Sequence, residues 1–288
     1  MSRYLAAFQL GHIEQAWDPY FGAGTERIIT SDVSKAWPVP DAGVGAVTYL
    51  LEILTGLIGS QRRWRTMPWL VILFGIMIVP LGAVSIFFII IQPIVIGTWC
   101  ALCLVGAAAM VVQIPYSLDE LVATGQFLAQ RRRQGQALWP IFLHGDTAAG
   151  GRKSEPADFE QPVKRIIAEI WGGGVNLPWT LLACVAIGVW LMCSRLIFGT
   201  GEPMAFSDHL LGALIITVSV TACAELARPV RYLNVLFGIA LMAAPWMMEG
   251  GSALADWAGV LTGLALILLS IPRGRIANRY GSWDKVIF

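Results

Sequence analysis

Charge is what this chain has least of. Only 14% of its 288 residues are Asp, Glu, Lys or Arg, against about 25% in an ordinary globular domain. With 56% hydrophobic residues and a mean hydropathy of +0.66, it does not read as a soluble domain. Cysteine is also sparse and comes late: there are five, at 100, 103, 184, 193 and 223, and none before residue 100. That number and spacing exclude a disulfide framework. His12, His144 and His209 are the only histidines, and none stands at metal-ligand spacing from a cysteine, so no metal site is expected. The N-terminus lacks a basic region followed by an apolar core and a small-residue cleavage site, so no signal peptide is expected. No nucleic-acid partner is expected; membrane lipid is.

What the chain does have is long apolar runs and 12 tryptophans, which suit lipid–water interfaces. Residues 4–10 are apolar but too short to span, and 11–43 are polar and turn-rich. A borderline span at 44–59 is interrupted by Glu52. A strong one at 69–91 contains Pro80 and ends at Gln92-Pro93. Another covers 99–114 and is closed by Pro115. Ser117-Leu118-Asp119-Glu120 then reads as a capping box opening an amphipathic helix that ends in Arg131, Arg132 and Arg133. Residues 134–173 form a linker with a short helical candidate at 161–171, and Trp139, Ile141, Phe142 and Leu143 can dip into the interface. Spans at about 177–198, 209–224, 232–247 and 254–271 complete an all-α integral membrane protein of about seven transmembrane helices.

Charge orients the spans. Alternate loops carry Arg62, Arg63 and Arg65; Arg131, Arg132, Arg133, Arg152, Lys153, Lys164 and Arg165; Arg228 and Arg231; and Arg273, Arg275, Arg279 and Lys285. The opposite side keeps only Arg3, Arg27, Lys35 and Arg195 of the 20 basic residues. The positive-inside rule then places the arginine-rich loops and the C-terminus in the cytoplasm, and Cys100 near the outer face. In a bacterial inner membrane that is the oxidising side.

The last four spans carry a weak repeat. Gly188-x-x-Leu-Met192 recurs as Gly238-x-x-Leu-Met242, Asp208 pairs with Asp256, and Arg231-Tyr232 with Arg279-Tyr280. Two helix hairpins stacked in parallel account for it.

The chemistry centres on Thr98-Trp99-Cys100-Ala101-Leu102-Cys103. Two cysteines three residues apart at a helix start share one face, and orphan N–H groups there favour a thiolate. The pair reads as a redox dithiol, or else as two small packing residues; the outer position, the helix start and the flanking Trp99 favour redox. Cys184, Cys193 and Cys223 read as packing residues. Glu52, a carboxyl inside a span, is a functional candidate or a neutral packing group. Asp41 reads first as a helix cap, and the three histidines as surface residues.

Thr25-x-x-Ile28-x-x-Ser31, Pro40-x-x-x-x-Gly45-x-x-x-Tyr49 and Trp99-Cys100-x-x-Cys103, in that order, resemble the vitamin K epoxide reductase family over about residues 4–130. The resemblance implies a four-helix bundle enclosing a quinone. It makes Cys103 the quinone-facing thiol and Cys100 its exchanging partner, and puts Ser31, Asp41 and Tyr49 near the loop cap or the quinone pocket; Glu52 and Trp99 are further candidates for that pocket. In the family a loop cysteine pair relays electrons to a thioredoxin-like partner. Here Thr25 stands where the second relay cysteine would be, and the first helix is reduced to its end, making the bundle partial. A short interfacial helix or another membrane subunit would close it. Leu177-Pro178-Trp179 resembles modules named for a Ser-Pro-Trp repeat, with leucine in place of serine.

Three regions result: a reductase-like membrane domain at 1–130, a cytoplasmic linker at 131–173 and a four-helix membrane domain at 174–288. The leading functional reading is a membrane thiol–disulfide oxidoreductase that couples the C-x-x-C pair to a quinone. The competing one is a non-catalytic scaffold or assembly protein that keeps the fold. A transporter has little support, because the later spans lack buried charges and broken helices.

Overall fold

The computed structural model describes residues 1–36, 38–58, 63–146 and 175–276, and among them the protein is helical throughout. Five helices are long and apolar enough to cross a membrane: Pro68–Ile96, Ala101–Arg133, Met204–Thr221, Arg228–Met247 and Ala253–Ser270. Two shorter helices, Asp41–Leu57 and Trp179–Met192, stand beside them. The chain is a multi-pass membrane protein.

In the N-terminal half, α1 (Ser2–Gln9) lies on α4 (Asp41–Leu57). The chain between them forms two short helices, α2 (Gly24–Ile29) and α3 (Asp32–Lys35). After α5 (Arg63–Thr66), the long α6 (Pro68–Ile91) packs along α7 (Ala101–Arg133). The arginine-rich end is tied together by side chains. Arg63 grips Glu120 through Nε at 2.8 Å and Nη2 at 2.6 Å. Arg131 meets Asp146, just past α8 (Leu138–His144), at 3.0 Å.

Two expected helix ends are absent. The Gln92-Pro93 stop does not form: a π-turn, Gln92–Ile96, carries the helix on, and Gly97 at φ 73° ends it. A single wide turn makes room for the proline ring without breaking the helix. Pro115 and the expected capping box lie inside α7, where Ser117 Oγ donates to the Ile114 carbonyl at 2.9 Å. Packing against α6 holds this helix straight through a residue that would end an isolated one. The helix therefore runs past residue 130, the expected edge of the first domain, to Arg133.

The C-terminal half consists of α9 (Trp179–Met192), the short α10 (Ser194–Phe198), α11 (Met204–Thr221), α12 (Leu233–Met247) and α13 (Ala253–Ser270). Its repeat is real and has a packing register. A Cβ on Gly188 would lie 2.7 Å from the Gly212 carbonyl oxygen, and one on Gly238 would lie 2.7 Å from that of Gly263. Backbones that close leave no room for a side chain, as in small-residue seams of membrane helices. The same register aligns Leu191 with Leu241 and Ile215 with Leu266 in one shared core beside Cys184. It does not align Asp208 with Asp256: Asp208 is buried in α11, whereas Asp256 sits half-exposed in the first turn of α13. The segment expected to be helical at 161–171, and Arg279-Tyr280, lie outside the described residues.

Candidate functional site

The start of α7 gathers three buried polar side chains from elsewhere in the N-terminal half, Asp18, Thr25 and Gln92. Cys100 is its N-cap, extended at φ −120°, ψ 111°, and its Sγ accepts the Cys103 N–H at 3.0 Å. The two cysteines form a disulfide with a Cα–Cα separation of 5.2 Å. Gly97 turns the chain out of α6 so that the motif meets α7 at this point. Gln92, on the π-turn, reaches across and accepts the Cys100 N–H through Oε1 at 3.1 Å.

A loop closes over Cys100, which is 0% exposed. The Asp18 carboxylate organises that loop. One oxygen accepts the N–H groups of Tyr20 and Phe21, each at 2.9 Å, which makes a local turn. The other accepts Thr25 Oγ1 at 2.6 Å and the Ala101 N–H at 3.0 Å, capping α7 from 83 residues away. Burial pushes the Asp18 carboxyl up, but these four hydrogen bonds outweigh it and hold the group below its ordinary range. Thr25 Oγ1 lies 3.4 Å from Cys100 Sγ. The residue read as standing in place of a relay cysteine therefore touches Cys100. Gly24 is pressed against the Trp99 carbonyl, where a Cβ would overlap it.

Cys103 faces the other way. It lines a cavity of about 250 Å³ inside the N-terminal half, walled by Leu5, Ile29, Phe88, Ile89 and Leu102. Tyr49 and Ser85 bring two hydroxyls to its lining. Asp41 lines it too, with its Oδ1 held by Gln9 Nε2 at 2.5 Å and the Ala42 N–H at 2.7 Å. Gln92 completes the polar lining, and its Nε2 is buried with no hydrogen-bond partner among the described residues. An apolar chamber with a cysteine sulfur, a hydroxyl pair and an unused amide donor suits a flat, neutral ring bearing carbonyl oxygens. A quinone headgroup is such a ring, so the residues present fit the cofactor expected from the sequence. The volume is close to the lower end of the range for small-molecule sites, about 300–1,000 Å³.

The other expected pocket residues lie elsewhere. Ser31 caps α3, donating to the Ile28 carbonyl at 2.7 Å, and does not line the cavity. Glu52 is buried one turn beyond Tyr49, with neither carboxyl oxygen partnered among the described residues. Trp99 points away from the cavity. It stacks on Phe21, with ring centroids 6.3 Å apart, and meets His209 edge-on at 4.7 Å. It lines a separate, apolar cavity of about 480 Å³ between α7 and the C-terminal helices α9 and α11. His209, expected at the surface, is 3% exposed, and its Nε2 lies 3.0 Å from the Ile89 carbonyl. It is buried because α11 packs on α6 and α7.

Asp18, Thr25 and Gln92 are the residues missed as a site. The sequence signalled each only as a turn, a substituted cysteine and a helix end. Among the described residues no cluster of His, Cys, Asp or Glu could hold a metal.

Residues 1–118 match the family model described as Vitamin K epoxide reductase family, and residues 178–272 match the SPW repeat domain. Both resemblances drawn from the motifs hold over those stretches. No characterised protein and no solved structure matches the chain.

Proposed function

We propose that this protein is a membrane thiol oxidoreductase in which Cys103 exchanges electrons with a quinone bound in the 250 Å³ cavity. One observation carries the reading: a disulfide at the start of a membrane helix, with one cysteine in the wall of a mostly apolar pocket and the other beneath a loop. When bound, a quinone takes two electrons and two protons and leaves as the hydroquinone. Cys100 and Cys103 supply those electrons as their thiols join in a disulfide, and take them back in the reverse direction. The walls around the sulfur are mostly apolar, and the Tyr49 and Ser85 hydroxyls stand in the same lining as proton donors.

Cys100 is the exchanging thiol. With no relay cysteine before residue 100, it reacts directly with the disulfide or dithiol of a thioredoxin-like protein or another membrane subunit. The Asp18–Thr25 loop has to lift for that contact, because Cys100 is completely covered. The asymmetry of basic residues puts this end on the outer side of a bacterial inner membrane and the C-terminus in the cytoplasm.

The test is a redox titration. The purified protein is equilibrated in thiol–disulfide buffers, its thiols are counted by alkylation, and a quinone is then added. The pair should reduce cooperatively and be reoxidised by quinone in one-to-one stoichiometry. A pair that never cycles, or one indifferent to quinone, refutes the proposal. A Cys103→Ala variant should trap a mixed disulfide at Cys100.

The covered sulfur supports a second reading, a scaffold that keeps the fold and a structural disulfide. Trapping separates the two, since a scaffold gives no mixed disulfide.

A further inference from the structure

Gln92 is a polar side chain placed where nothing in the protein uses half of it. Its amide offers one acceptor oxygen and two donor hydrogens. The oxygen is engaged by the Cys100 N–H at 3.1 Å, which fixes the amide's orientation, since the flipped group would set donor against donor. The nitrogen is then the unused end of the amide. The residue is 0% exposed and lines the cavity, and Nε2 has no partner among the described residues. The carboxylate of the lining, Asp41, is already engaged by Gln9 and the Ala42 N–H. A buried donor left unmatched is costly, and an apolar membrane interior offers no ready replacement.

We infer that Gln92 anchors a carbonyl oxygen of the bound ring through Nε2 while its Oε1 stays on the Cys100 N–H. The inference rests on the thiol–quinone reading and names the contact that selects the ligand. The occupant must present an acceptor oxygen, and the apolar walls favour a neutral one. A quinone carbonyl meets both conditions better than a hydroquinone hydroxyl, which brings a proton of its own to be satisfied. Gln92 therefore holds the oxidised ring more tightly than the reduced one. It also joins the ligand to the backbone of the reactive pair through a single side chain.

The experiment uses the full-length protein in detergent or nanodiscs, with menadione as the probe. Binding is followed by quenching of tryptophan fluorescence, and the ring carbonyls by infrared difference spectroscopy with ¹³C-labelled menadione. In the wild-type protein one carbonyl band should shift to lower frequency on binding. Gln92→Met, close in shape but without the amide, should abolish that shift and weaken menadione binding by about tenfold, as expected for one lost hydrogen bond. Menadiol binding should change less. Gln92→Glu keeps an acceptor for Cys100 but loses the amide donors. It gives a second route should the Met variant fold poorly, and should weaken binding increasingly as its carboxyl ionises. Wild-type affinity, with the carbonyl band still shifted to lower frequency in both variants, overturns the inference alone. A wild-type protein that binds no quinone overturns the thiol–quinone reading from which it starts.

Discussion

Replacing Asp18 with alanine should open the loop over Cys100, and the structure gives the size of the effect. Four donors lose their acceptor. Tyr20 and Phe21 are 83% and 39% exposed, so water can take over their N–H groups. The Ala101 N–H belongs to a residue 6% exposed, where water cannot follow, whereas the Thr25 hydroxyl still has Cys100 Sγ within reach at 3.4 Å. At about 1–3 kcal/mol for one stranded buried donor, the loss is about 1–3 kcal/mol. It falls on the loop rather than on the bundle, so local opening should respond more than global unfolding. Hydrogen exchange across residues 16–30 should accelerate strongly in Asp18→Ala protein, and after reduction Cys100 should react faster with a bulky maleimide. Thr25→Val removes the 2.6 Å bond from its other side. The two substitutions together should therefore cost less than the sum of their separate effects. The depressed carboxyl adds a pH signature. A group whose folded value lies below its unfolded one stabilises above the unfolded value and loses that contribution as pH falls through the folded value. Protection of the loop should thus be flat at neutral pH and decline only below about pH 4. Loop exchange unchanged in Asp18→Ala, or protection lost near neutral pH, would refute the clamp.

Other consequences are simpler to read. Gly188→Ala and Gly238→Ala should each lower the melting temperature in detergent by a similar amount, about 1–3 kcal/mol of overpacking, because each forces a methyl against a facing carbonyl; a tolerated alanine at both would contradict the shared register. His209→Ala should loosen Trp99, seen as a shift in its fluorescence, while the Cys100–Cys103 disulfide still forms; an unchanged spectrum would argue against the ring contact. Arg63→Ala should cost about 1 kcal/mol through the loss of Glu120 and of the cation–π contact with Phe74, measured by thermal unfolding at low salt, and part of that loss should vanish at high salt.

What the sequence revealed and what it hid divide along a physical line. Apolar runs, the paired cysteines, the inter-motif order and the Gly-x-x-Leu-Met repeat are local or periodic, and each was readable. Pro93 and Pro115 misled because proline ends isolated helices, whereas helices packed in a membrane carry it through a π-turn or straight on. Asp18 was legible as a turn residue, and it does make that turn, but its second task lies 83 positions away at Ala101. His209 looked like a surface residue at a span end, and only the packing of α11 on α6, 120 residues earlier in sequence, buries it. Gln92 looked like a polar stop signal. The π-turn that carries it is the feature no pattern announced.

A chain this poor in charge cannot bury polar groups at random, because each one without a partner costs more in a membrane than in water. The N-terminal half nevertheless brings Asp18, Thr25 and Gln92 to one helix start, all against Cys100 or its neighbours. Two of the three complete their bonding there, and Asp18 and Thr25 cover the Cys100 sulfur. The third leaves one donor unused, on a residue that lines the chamber where Cys103 stands. A purely structural disulfide would need the seal but has no use for the open donor. The C-terminal half adds its own weight at the same end: His209 presses on Trp99, and Phe21 of the loop stacks on that ring. Loop, reactive pair and second half therefore meet at one residue beside the disulfide. Any movement of Phe21 in the loop would be felt at Trp99 and, through it, at His209 of α11.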